Sequence, residues 1–454
     1  MHIVEYKDIV NWSPRNLTGI GIDYRACYPL ERLGEVLIRV KDKVRIQPDL
    51  EYTRVTLKTN YGGIVQRDRR RGDAIGRKLQ YRIKSGQLLV SKIDVSRGAV
   101  GIVPKTLSGG VVTENFWVYD VLDSQRVLLE YVALVLTTSA FMAMAGENSN
   151  GSTGRQYMQE KTFLDQFIPI PDITVQRRLV KDYEKAERRC NHLAEKARIL
   201  GIELQDRLFE LLGLHQSTGQ LSTGQLHLYN SADLNEWSFE KLKNESVWTT
   251  KAYRSFRIGE YPDIFTLVQR GVSPHYTTAL GTGMLNQKCV RWYDLDLQFM
   301  KNVTESSLAK YSREMFTKRG DILVNSTGDG TIGRSAVVRN QSECRLLYDT
   351  HVLMLRVSKV AVNPEFLSFL FNSSYVQSQI EQLKSAVATS QTELGVDNLR
   401  RVQVILPPLK EQNAIAGELS RIRKQIPRQK TIEDILKNAR IVFEQSIIEN
   451  GDED

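Results

Sequence analysis

The sequence predicts an α+β protein in which two similar domains are separated by long helices that form an antiparallel intramolecular coiled coil with pseudo-two-fold symmetry. Three observations predict this fold. A heptad pattern of apolar residues occupies residues 174–213, and a second one follows residue 407. Short segments of the first half of the chain also recur about 235 positions later.

Length and composition set the broad class. The chain has 454 residues, 41% apolar and 25% charged, with a formal net charge of +9. This length favours two or three domains, and the positive charge is compatible with a polyanionic partner. The four cysteines are widely scattered, which indicates neither a disulfide framework nor a zinc site. Because no secretory signal or long apolar run is apparent, we expect a cytoplasmic protein.

The first long helix is predicted from the spacing of its apolar residues. They alternate steps of four and three, as heptad a and d positions do, and charged residues fill most other positions. The extended X-Pro element ending at Pro171 precedes the helix, and Gly213 ends it. A helix of this length would be roughly 60 Å long. The seam residues are Leu179, Tyr183, Ala186, Cys190, Leu193, Ala197, Leu200 and Leu204.

The second long helix has a similar seam and is predicted to pair with the first. Pro427 should kink or restart it, because proline lacks a backbone donor. The spacing from Pro171 to Gln176 equals that from Pro407 to Gln412, so both helices begin at the same point of the repeat. The second seam consists of Ile415, Leu419, Ile422, Ile426, Ile432, Ile435, Ala439 and Val442.

Between the helices, one domain architecture is predicted to occur twice. The recurring segments are Tyr28-Pro29 with Tyr261-Pro262, residues 84–91 with 318–325, 114–116 with 349–351, and 163–164 with 398–399. Strands are predicted at 54–57, 87–91, 111–119, 321–325, 335–339 and 351–357, and closing helices at 125–142 and 364–383. The polar, Gly- and Ser-containing stretch that starts at residue 214 reads as a linker.

The sequence contains no convincing catalytic motif. Gly328, Gly330 and Gly333 match G-x-G-x-x-G, but the following residues 335–339 read as a strand, whereas a dinucleotide fingerprint must open a helix. The six histidines lack metal-ligand spacing. We therefore expect a non-catalytic protein without a metal or cofactor, and an enzyme that binds a nucleotide at the Gly328 loop stays as the less favoured alternative.

Basic and polar segments instead favour DNA binding. In the first domain, a basic cluster suited to phosphate contact comprises Arg67, Arg69, Arg70, Arg71, Arg77 and Lys78, followed by Arg82 and Lys84. In the second domain, Asn, Gln and Arg side chains could bind bases bidentately. The further candidates are Ser91, Lys92, Arg155, Gln156 and Tyr157 in the first domain, and Ser273, Tyr276, Gln287, Asn325, Ser326, Thr327, Arg334, Thr389 and Gln391 in the second.

These features together resemble the specificity subunit of Type I restriction-modification systems. The resemblance covers nearly the whole chain. It is carried by residues 320–328, by Asp349-Thr350-His351 and by residues 406–412, LPPLKEQ, while the first copy has the weaker match at residues 172–176, DITVQ. A similar system with a fused methyltransferase-nuclease partner stays open as an alternative.

The resemblance implies a role for each region. The implied regions are an N-terminal arm (1–27), a first target recognition domain (28–171), a first spacer helix (172–213), a linker (214–260), a second target recognition domain (261–406) and a second spacer helix (407–454). The domains would read the two halves of a gapped DNA target. The helices would dock two adenine methyltransferase subunits that bind S-adenosylmethionine, and a restriction subunit would use ATP and Mg²⁺.

Overall fold

The computed structural model describes residues 22–59, 62–147, 149–150, 157–218, 246–250, 252–273, 275–308, 311–328, 330–386 and 392–449. The chain divides into two compact units. The first comprises Met1–Ala194 and Arg428–Asp454, and the second comprises Glu195–Pro427. Each unit contains one of the two similar domains and part of both long helical regions.

The elements up to residue 212 alternate short strands with short helices before one long helix. The strands are β1 (Leu30–Arg32), β2 (Leu37–Val40), β3 (Lys43–Arg45), β4 (Glu51–Leu57), β5 (Ile64–Arg71), β6 (Leu79–Arg82), β7 (Leu88–Ser91), β8 (Val100–Ile102), β9 (Val111–Val112), β10 (Phe116–Val121), β11 (Ser149–Asn150), β12 (Tyr157–Met158) and β13 (Phe167–Pro169). The helices are α1 (Leu33–Val36), α2 (Leu129–Leu136), α3 (Ser139–Glu147), α4 (Glu160–Leu164) and α5 (Ile173–Leu212), with 3₁₀ turns at Gly72–Ala74, Val95–Arg97 and Lys105–Leu107.

The remaining elements follow a similar order. The strands are β14 (Leu214–Thr218), β15 (Ser246–Thr250), β16 (Ser255–Arg257), β17 (Leu267–Arg270), β18 (Tyr276–Thr277), β19 (Thr282–Leu285), β20 (Lys301–Val303), β21 (Ile322–Asn325), β22 (Ser335–Val337), β23 (Leu347–Tyr348), β24 (Val352–Arg356), β25 (Ser385–Ala386), β26 (Thr392–Glu393) and β27 (Gln403–Ile405). The helices are α6 (Glu305–Leu308), α7 (Pro364–Phe371), α8 (Ser374–Leu383), α9 (Val396–Arg401), α10 (Leu409–Gln425) and α11 (Gln429–Ile447), with 3₁₀ turns at Ile258–Glu260, Leu297–Phe299, Arg313–Met315 and Gln341–Glu343.

Both domains are built on the same four-stranded antiparallel sheet. The strand order is β2-β10-β7-β8 in the first domain and β17-β24-β21-β22 in the second. All four residues of β7 and of β21 are buried, which explains their nearly continuous apolar sequences, LLVS and ILVN. The repeat and the α+β class predicted from sequence are therefore confirmed.

The second sheet differs between the two domains. In the first domain it has five strands in the order β3-β6-β9-β4-β5, and in the second it has four in the order β18-β20-β19-β23. The single strand predicted at 111–119 is wrong, because a turn at Thr113 separates β9 from β10 and places them in different sheets. The domains thus share a framework and differ in the sheet added to it.

Each closing helix is broken in the middle, although one continuous helix was predicted in each domain. Thr137 and Thr138 separate α2 from α3, and Asn372 and Ser373 separate α7 from α8. The Thr137 hydroxyl donates to the carbonyls of Ala133 and Leu134, both at 3.0 Å. Asn372 instead bonds the backbone N–H and C=O of Ser335, each at 2.9 Å. Such side-chain bonds to the backbone compete with helix continuation.

The first and last strands of each domain pair with each other and close it. β1 pairs antiparallel with β13, and β16 pairs antiparallel with β27. Arg32 and Arg257 lie at the ends of β1 and β16, and each backbone N–H bonds the glutamate three residues later. Tyr28 precedes β1 whereas Tyr261 follows β16, so the predicted correspondence of these tyrosines is wrong. Residues 32–35, RLGE, correspond instead to 257–260, RIGE.

In the first unit, the beginning of α5 packs antiparallel against α11. Arg440 lies over the Tyr183 ring at 5.5 Å, and the Cys190 thiol donates to the carbonyl of Ile432 at 3.3 Å. Later residues of α5 therefore contact earlier residues of α11, as in any antiparallel pair of helices. Val442 was predicted in the seam, but it is 64% exposed and Phe443 is buried beside it. The packing face is thus shifted after the break at Pro427.

In the second unit, the end of α5 packs against α10. Leu204, Leu208 and Leu212 share one core cluster with Ile415 and its neighbours Ala416 and Leu419. At the edge of this contact, the Arg207 Nε group lies 2.6 Å from a Glu418 carboxylate oxygen. The helices α10 and α11 are separate, as Pro427 predicted.

The predicted linker, 214–260, contains described secondary structure. β14 pairs antiparallel with β15, from Leu214 with Thr250 to Thr218 with Ser246. Residues 219–245, which form most of the predicted linker, lie outside the described residues, as do residues 1–21 of the predicted N-terminal arm. The bounds of the six regions given above stay predictions.

Candidate nucleic-acid interface

In the first domain, the predicted basic cluster lies on an edge strand. β5 pairs only with β4, so one side of β5 has no neighbouring strand in its sheet. The side chains of Arg67, Arg69, Arg70 and Arg71 are exposed along it. The pairing register shifts between Arg54 and Val55, which makes Arg67 the extra residue of a β-bulge. Bulges redirect side chains, and charged edge strands also prevent sheet-to-sheet association.

A single carboxylate lies within this row of arginines, and it is already occupied. The Arg54 guanidinium bonds both carboxylate oxygens of Asp68, at 2.7 and 2.5 Å. These bonds from Arg54 hold the pKa of the Asp68 carboxyl below its usual value, and Arg70 adds a contact at 3.2 Å. Asp68 is therefore ionised at neutral pH and neutralises mainly Arg54.

The cations of the cluster differ in how far they are neutralised. Arg71 lies 3.5 Å from carboxylate oxygens of Asp49 and of Asp73. Arg77 pairs with Glu114 at 2.9 Å, and the Lys78 ammonium donates to the carbonyl of Gly72 at 2.7 Å.

Arg67 and Arg69 differ from these three cations. In the part of the chain that the structure describes, neither has a carboxylate within 4 Å. They are the members of the cluster best suited to a phosphate, because forming that contact requires no existing pair to break.

In the second domain, the candidates lie on two loops that pack together. The Gly-rich loop after β21 has positive φ angles at Gly328, Gly330 and Gly333, of 92°, 72° and 82°. It leads directly into strand β22, as expected for a hairpin rather than for a dinucleotide-binding motif. The Asn325 amide donates to the carbonyls of Gln287, at 3.0 Å, and of Val290, at 3.4 Å, and so fixes this loop to the segment after β19.

A chain of polar side chains crosses the junction of the two loops. The Thr327 hydroxyl lies 3.0 Å from Gln287 Oε1 and 2.8 Å from His351 Nδ1. Among the described residues, the Gln287 Nε2 group has no acceptor within hydrogen-bonding distance. Gln287 is half-buried with its amide oxygen held by Thr327. An amide oriented in this way can present its N–H groups to a base edge.

A buried carboxylate supports the neighbouring surface. Asp349 accepts from the His351 backbone N–H at 2.9 Å and from the Tyr276 hydroxyl at 3.2 Å. Burial raises the pKa of the Asp349 carboxyl, and the His351 backbone bond opposes this rise. The Lys301 ammonium lies 4.6 Å from the centre of the Tyr276 ring, which is 41% exposed. Tyr276 is therefore held in place from beneath, with a cation over its ring.

Sequence reasoning missed two residues beside Arg334. The Arg334 guanidinium lies 5.7 Å from the centre of the Trp292 ring, which is 40% exposed, and donates to the carbonyl of Gly330 at 3.0 Å. The Arg291 guanidinium lies 4.9 Å from the centre of the Phe299 ring. Burial lowers the pKa of the Arg334 guanidinium, and the positive charge of Arg291 lowers it further. The tripeptide RWY at 291–293 was the available signal, since arginine and tryptophan both contact nucleic acids well.

Three of the predicted contact residues lie in the interior of the fold. Asn325 and Ser326 are fully buried, and Ser91 is 4% exposed. The Asn325 amide is used within the domain, so it orders the loops instead of reading a base. Tyr157 and Ser273 are exposed, and Lys92 is half-buried. The predicted Arg155, Gln156, Thr389 and Gln391 lie outside the described residues.

The predicted spacer residues lie on packed faces. Tyr183, Ile415 and Leu419 are buried. Leu179, Leu193, Leu200 and Ile422 are half-buried. Apolar side chains also occur outside the seam: Ile199 and Ile202 of α5 are 52% and 47% exposed, and Ile441 of α11 is 42% exposed. The helices therefore have apolar surface that their own packing leaves uncovered.

Neither a metal site nor a single membrane-spanning helix is indicated within the described ranges. Within those ranges, no three His, Cys, Asp or Glu side chains group as metal ligands. Of the helices described, none alone is long and apolar enough to cross a membrane; α2 and α3 reach that limit only when joined across a bend of 66°.

Comparison with known proteins shows similarity to one family. Residues 267–438 match the family model of the Type I restriction modification DNA specificity domain. The putative type I restriction enzyme MjaX specificity subunit of Methanocaldococcus jannaschii is 29% identical over 125 residues, which are 27% of this chain and 28% of the relative. The type I restriction enzyme EcoEI specificity subunit of Escherichia coli is 22% identical over 396 residues, which are 71% of this chain and 65% of the relative.

A solved structure shows a similar extent of alignment. The crystal structure of the Type I restriction-modification system S subunit from M. genitalium aligns with 94% of this chain and 95% of its own, at 14% identity and a TM-score of 0.49. The chain spans less than two thirds of the length of either curated relative. The family match agrees with the prediction of a non-catalytic subunit. The chain is similar to Type I restriction-modification specificity subunits, and residues 267–438 match their DNA specificity domain.

Proposed function

We propose that this chain is the non-catalytic subunit that reads a bipartite, gapped DNA sequence for a Type I restriction-modification complex. The observation that carries the proposal is the repeated four-stranded sheet with a different second sheet in each copy. One framework presents two unlike surfaces: an arginine-rich edge strand in the first domain, and polar loops around Gln287 and Arg334 in the second. Unlike surfaces favour unlike half-sites, so the target is asymmetric.

The two surfaces suggest different kinds of contact. Arg67 and Arg69 are suited to phosphates, which position a protein on a duplex without reading its sequence. Gln287 and Arg334 carry side chains that can bind adenine and guanine edges, and the exposed Trp292 adds apolar contact area. We assign base reading in the second half-site to this loop pair.

The length of α5 suggests the length of the gap between the two half-sites. α5 has 40 residues and is therefore roughly 60 Å long. Because one turn of B-DNA is about 34 to 36 Å, such a spacer suits half-sites that lie roughly one to one and a half turns apart. The exposed apolar side chains of α5 and α11 are the surface we propose for docking two adenine methyltransferase subunits.

The chemistry of the complex is assigned to the partner subunits. S-adenosylmethionine would bind to the methyltransferase subunits, and ATP with Mg²⁺ to the restriction and translocation subunits. A related system, in which the methyltransferase and nuclease share one polypeptide, would use the same surfaces of this chain. The identity of the partner chain distinguishes the two.

Co-expression tests this function. The full-length chain is produced with an adenine methyltransferase subunit in a host that lacks DNA methylation, and modified adenines are mapped by single-molecule sequencing. We expect a two-part motif with a fixed gap. A continuous motif would contradict the bipartite reading. Modification without sequence preference would contradict a role in recognition.

A further inference from the structure

In each domain, one fully buried glutamine joins the domain to the helix that follows it. Gln176 is the fourth residue of α5, and Gln412 is the fourth residue of α10. Both side chains have an exposure of 0%. Glutamine is mostly exposed in proteins, so a completely buried one at the same position of two repeats requires an explanation.

The Gln176 amide makes three hydrogen bonds. Its Nε2 group donates to the carbonyl of Pro171 at 2.8 Å and to the carbonyl of Arg126 at 2.9 Å. Its Oε1 atom accepts from the backbone N–H of Leu128 at 3.0 Å. Pro171 lies two residues before the first residue of α5, whereas Arg126 and Leu128 lie just before α2 in the recognition domain.

The Gln412 amide repeats this arrangement. Its Nε2 group donates to the carbonyl of Pro407 at 2.7 Å and to the carbonyl of Ala361 at 3.0 Å. Its Oε1 atom accepts from the backbone N–H of Asn363 at 2.9 Å. In both domains, the amide thus bonds the C=O of one residue and the N–H of the second residue after it, as a neighbouring strand would.

The hydrogen bonds of each glutamine fix the orientation of the helix relative to its domain as well as the contact between them. The residue between the two bonded backbone groups is a buried valine, Val127 or Val362, which is 2% or 0% exposed. Hydrogen bonds shielded from water are short-ranged and directional, and both Nε2 protons are used. The first turn of each helix is therefore tied to its domain by two bonds on one side and to the preceding proline by a third.

A long helix amplifies any change at such a joint. For α5, which has 40 residues and is roughly 60 Å long, a rotation of about 3° displaces the far end by about 3 Å. For α10, which has 17 residues and is roughly 25 Å long, the same displacement takes a rotation of about 7°. One base-pair step along B-DNA is about 3.4 Å. A joint that loosened by a few degrees would therefore relax the axial fit to a gap that is one base pair longer or shorter, whereas the rotation of about 34 to 36° that each base pair adds has to be taken up by twist in the duplex.

We propose that Gln176 and Gln412 are positioning residues that fix the gap length of the DNA target. This inference rests on the proposed function, since it concerns the spacing of half-sites read by this chain. The glutamines contact no DNA in this role. They hold each recognition domain at one angle to its spacer helix, so that a gap of the wrong length places one half-site out of register.

The test compares duplexes that differ only in gap length. Full-length wild-type chain and the variants Gln176→Leu and Gln412→Leu compete for duplexes that carry the two half-sites of the wild-type methylation motif. The gap varies by one base pair at a time. The control is Gln87→Leu: Gln87 is 5% exposed, and its side chain bonds Asp120 and the backbone N–H of Lys84, both within the first domain.

We expect wild type and the Gln87→Leu control to prefer one gap over its neighbours by at least about tenfold, since a displaced half-site loses its base contacts. In the Gln176→Leu and Gln412→Leu variants this preference should fall below about threefold, while the bases preferred within each half-site stay the same. If a leucine variant fails to fold, Gln176→Asn and Gln412→Asn should give intermediate preferences, because the shorter amide cannot make all three bonds.

Other outcomes overturn the inference. Variants that unfold at lower temperature but keep the wild-type gap preference would show that the glutamines only stabilise the fold. A loss of base preference within a half-site would show that they act on reading instead of spacing. If the wild-type chain itself prefers no gapped duplex, the proposed function fails and the inference fails with it.

Discussion

Replacing Arg67 and Arg69 together with alanine removes two exposed cations from β5 without breaking an ion pair that the structure records. Both guanidinium groups lie on the edge strand, and neither has a carboxylate within 4 Å among the described residues. The Arg54 and Asp68 pair that supports the strand is unchanged. The substitution should therefore leave the fold intact and weaken DNA binding.

The size of the effect follows from counterion release. Each phosphate contact contributes about 0.9 to the slope of log K against log salt concentration, so losing two should reduce the slope by about 1.8. If wild type and variant bind equally near 1 M salt, the variant binds roughly thirtyfold more weakly at 0.15 M. Fluorescence anisotropy titrations of a labelled duplex at four or five salt concentrations measure both quantities.

The matched control is the pair Arg71→Ala and Arg77→Ala. It removes the same charge, but Arg71 lies between Asp49 and Asp73, and Arg77 is paired with Glu114. Its slope should change by less than half as much. An unchanged slope in the Arg67 and Arg69 variant would refute the phosphate role. Equal changes in the two variants would refute the argument from ion pairing, because net charge alone would then explain the effect.

Three further predictions concern the second domain and the helices. Gln287→Ala should relax one position of one half-site by about 1 to 3 kcal/mol and leave the other half unchanged, as measured by competition with single-base variants. The substitutions Leu193→Glu and Leu200→Glu should lower the free energy of unfolding by about 1 to 3 kcal/mol per site and reduce co-purification of the methyltransferase subunit. The control substitution His192→Glu, at an exposed position, should change neither quantity. Burial raises the pKa of the Asp349 carboxyl, so its ionised form destabilises the fold at neutral pH. The free energy of unfolding should therefore rise as the pH falls through the raised pKa toward the ordinary Asp value, because Asp349 becomes protonated in the folded state first. Asp349→Asn should flatten this part of the urea-unfolding profile, and an unaltered pH profile would contradict the assignment.

The helices were predictable because their signals are local. Heptad steps, the break at Pro427 and the equal spacing of Pro171–Gln176 and Pro407–Gln412 all lie within single segments of sequence. What the spacing could not reveal was the function of the glutamine side chain. Its partners at residues 126–128 and 361–363 are about 50 positions away, and only the fold brings them together.

The candidate site was less predictable, because burial decided the role of its residues. Asn325 has the side chain of a base reader, but it is the last residue of a fully buried strand, and its amide donates to the carbonyls of Gln287 and Val290. In contrast, Trp292 was overlooked although it is 40% exposed beside Arg334. Composition identifies residues that can contact DNA, and the tertiary fold selects which of them reach the surface.

Matching sequence segments likewise did not reveal which residues of the two domains are structurally equivalent. Tyr28-Pro29 and Tyr261-Pro262 are identical dipeptides at a suitable distance along the chain. The first, however, precedes β1, whereas the second follows the equivalent strand β16. The RLGE and RIGE segments are equivalent in structure, because Gly34 and Gly259 both approach the end of the helix that precedes the last strand of their domain. A Cβ atom at Gly34 would lie 3.3 Å from the Leu164 carbonyl oxygen, and one at Gly259 would lie 3.3 Å from that of Arg400.

In the proposed function, each domain reads a different half of one target. Photo-crosslinking tests it most directly, with a photoreactive amino acid placed at exposed Gln66 of β5 or at exposed Lys288 of the second domain, in full-length chain bound to its gapped duplex. We predict that the two positions label nucleotides in opposite halves of the target, separated by the gap. Labelling of the same half from both positions would contradict the assignment of one half-site to each domain.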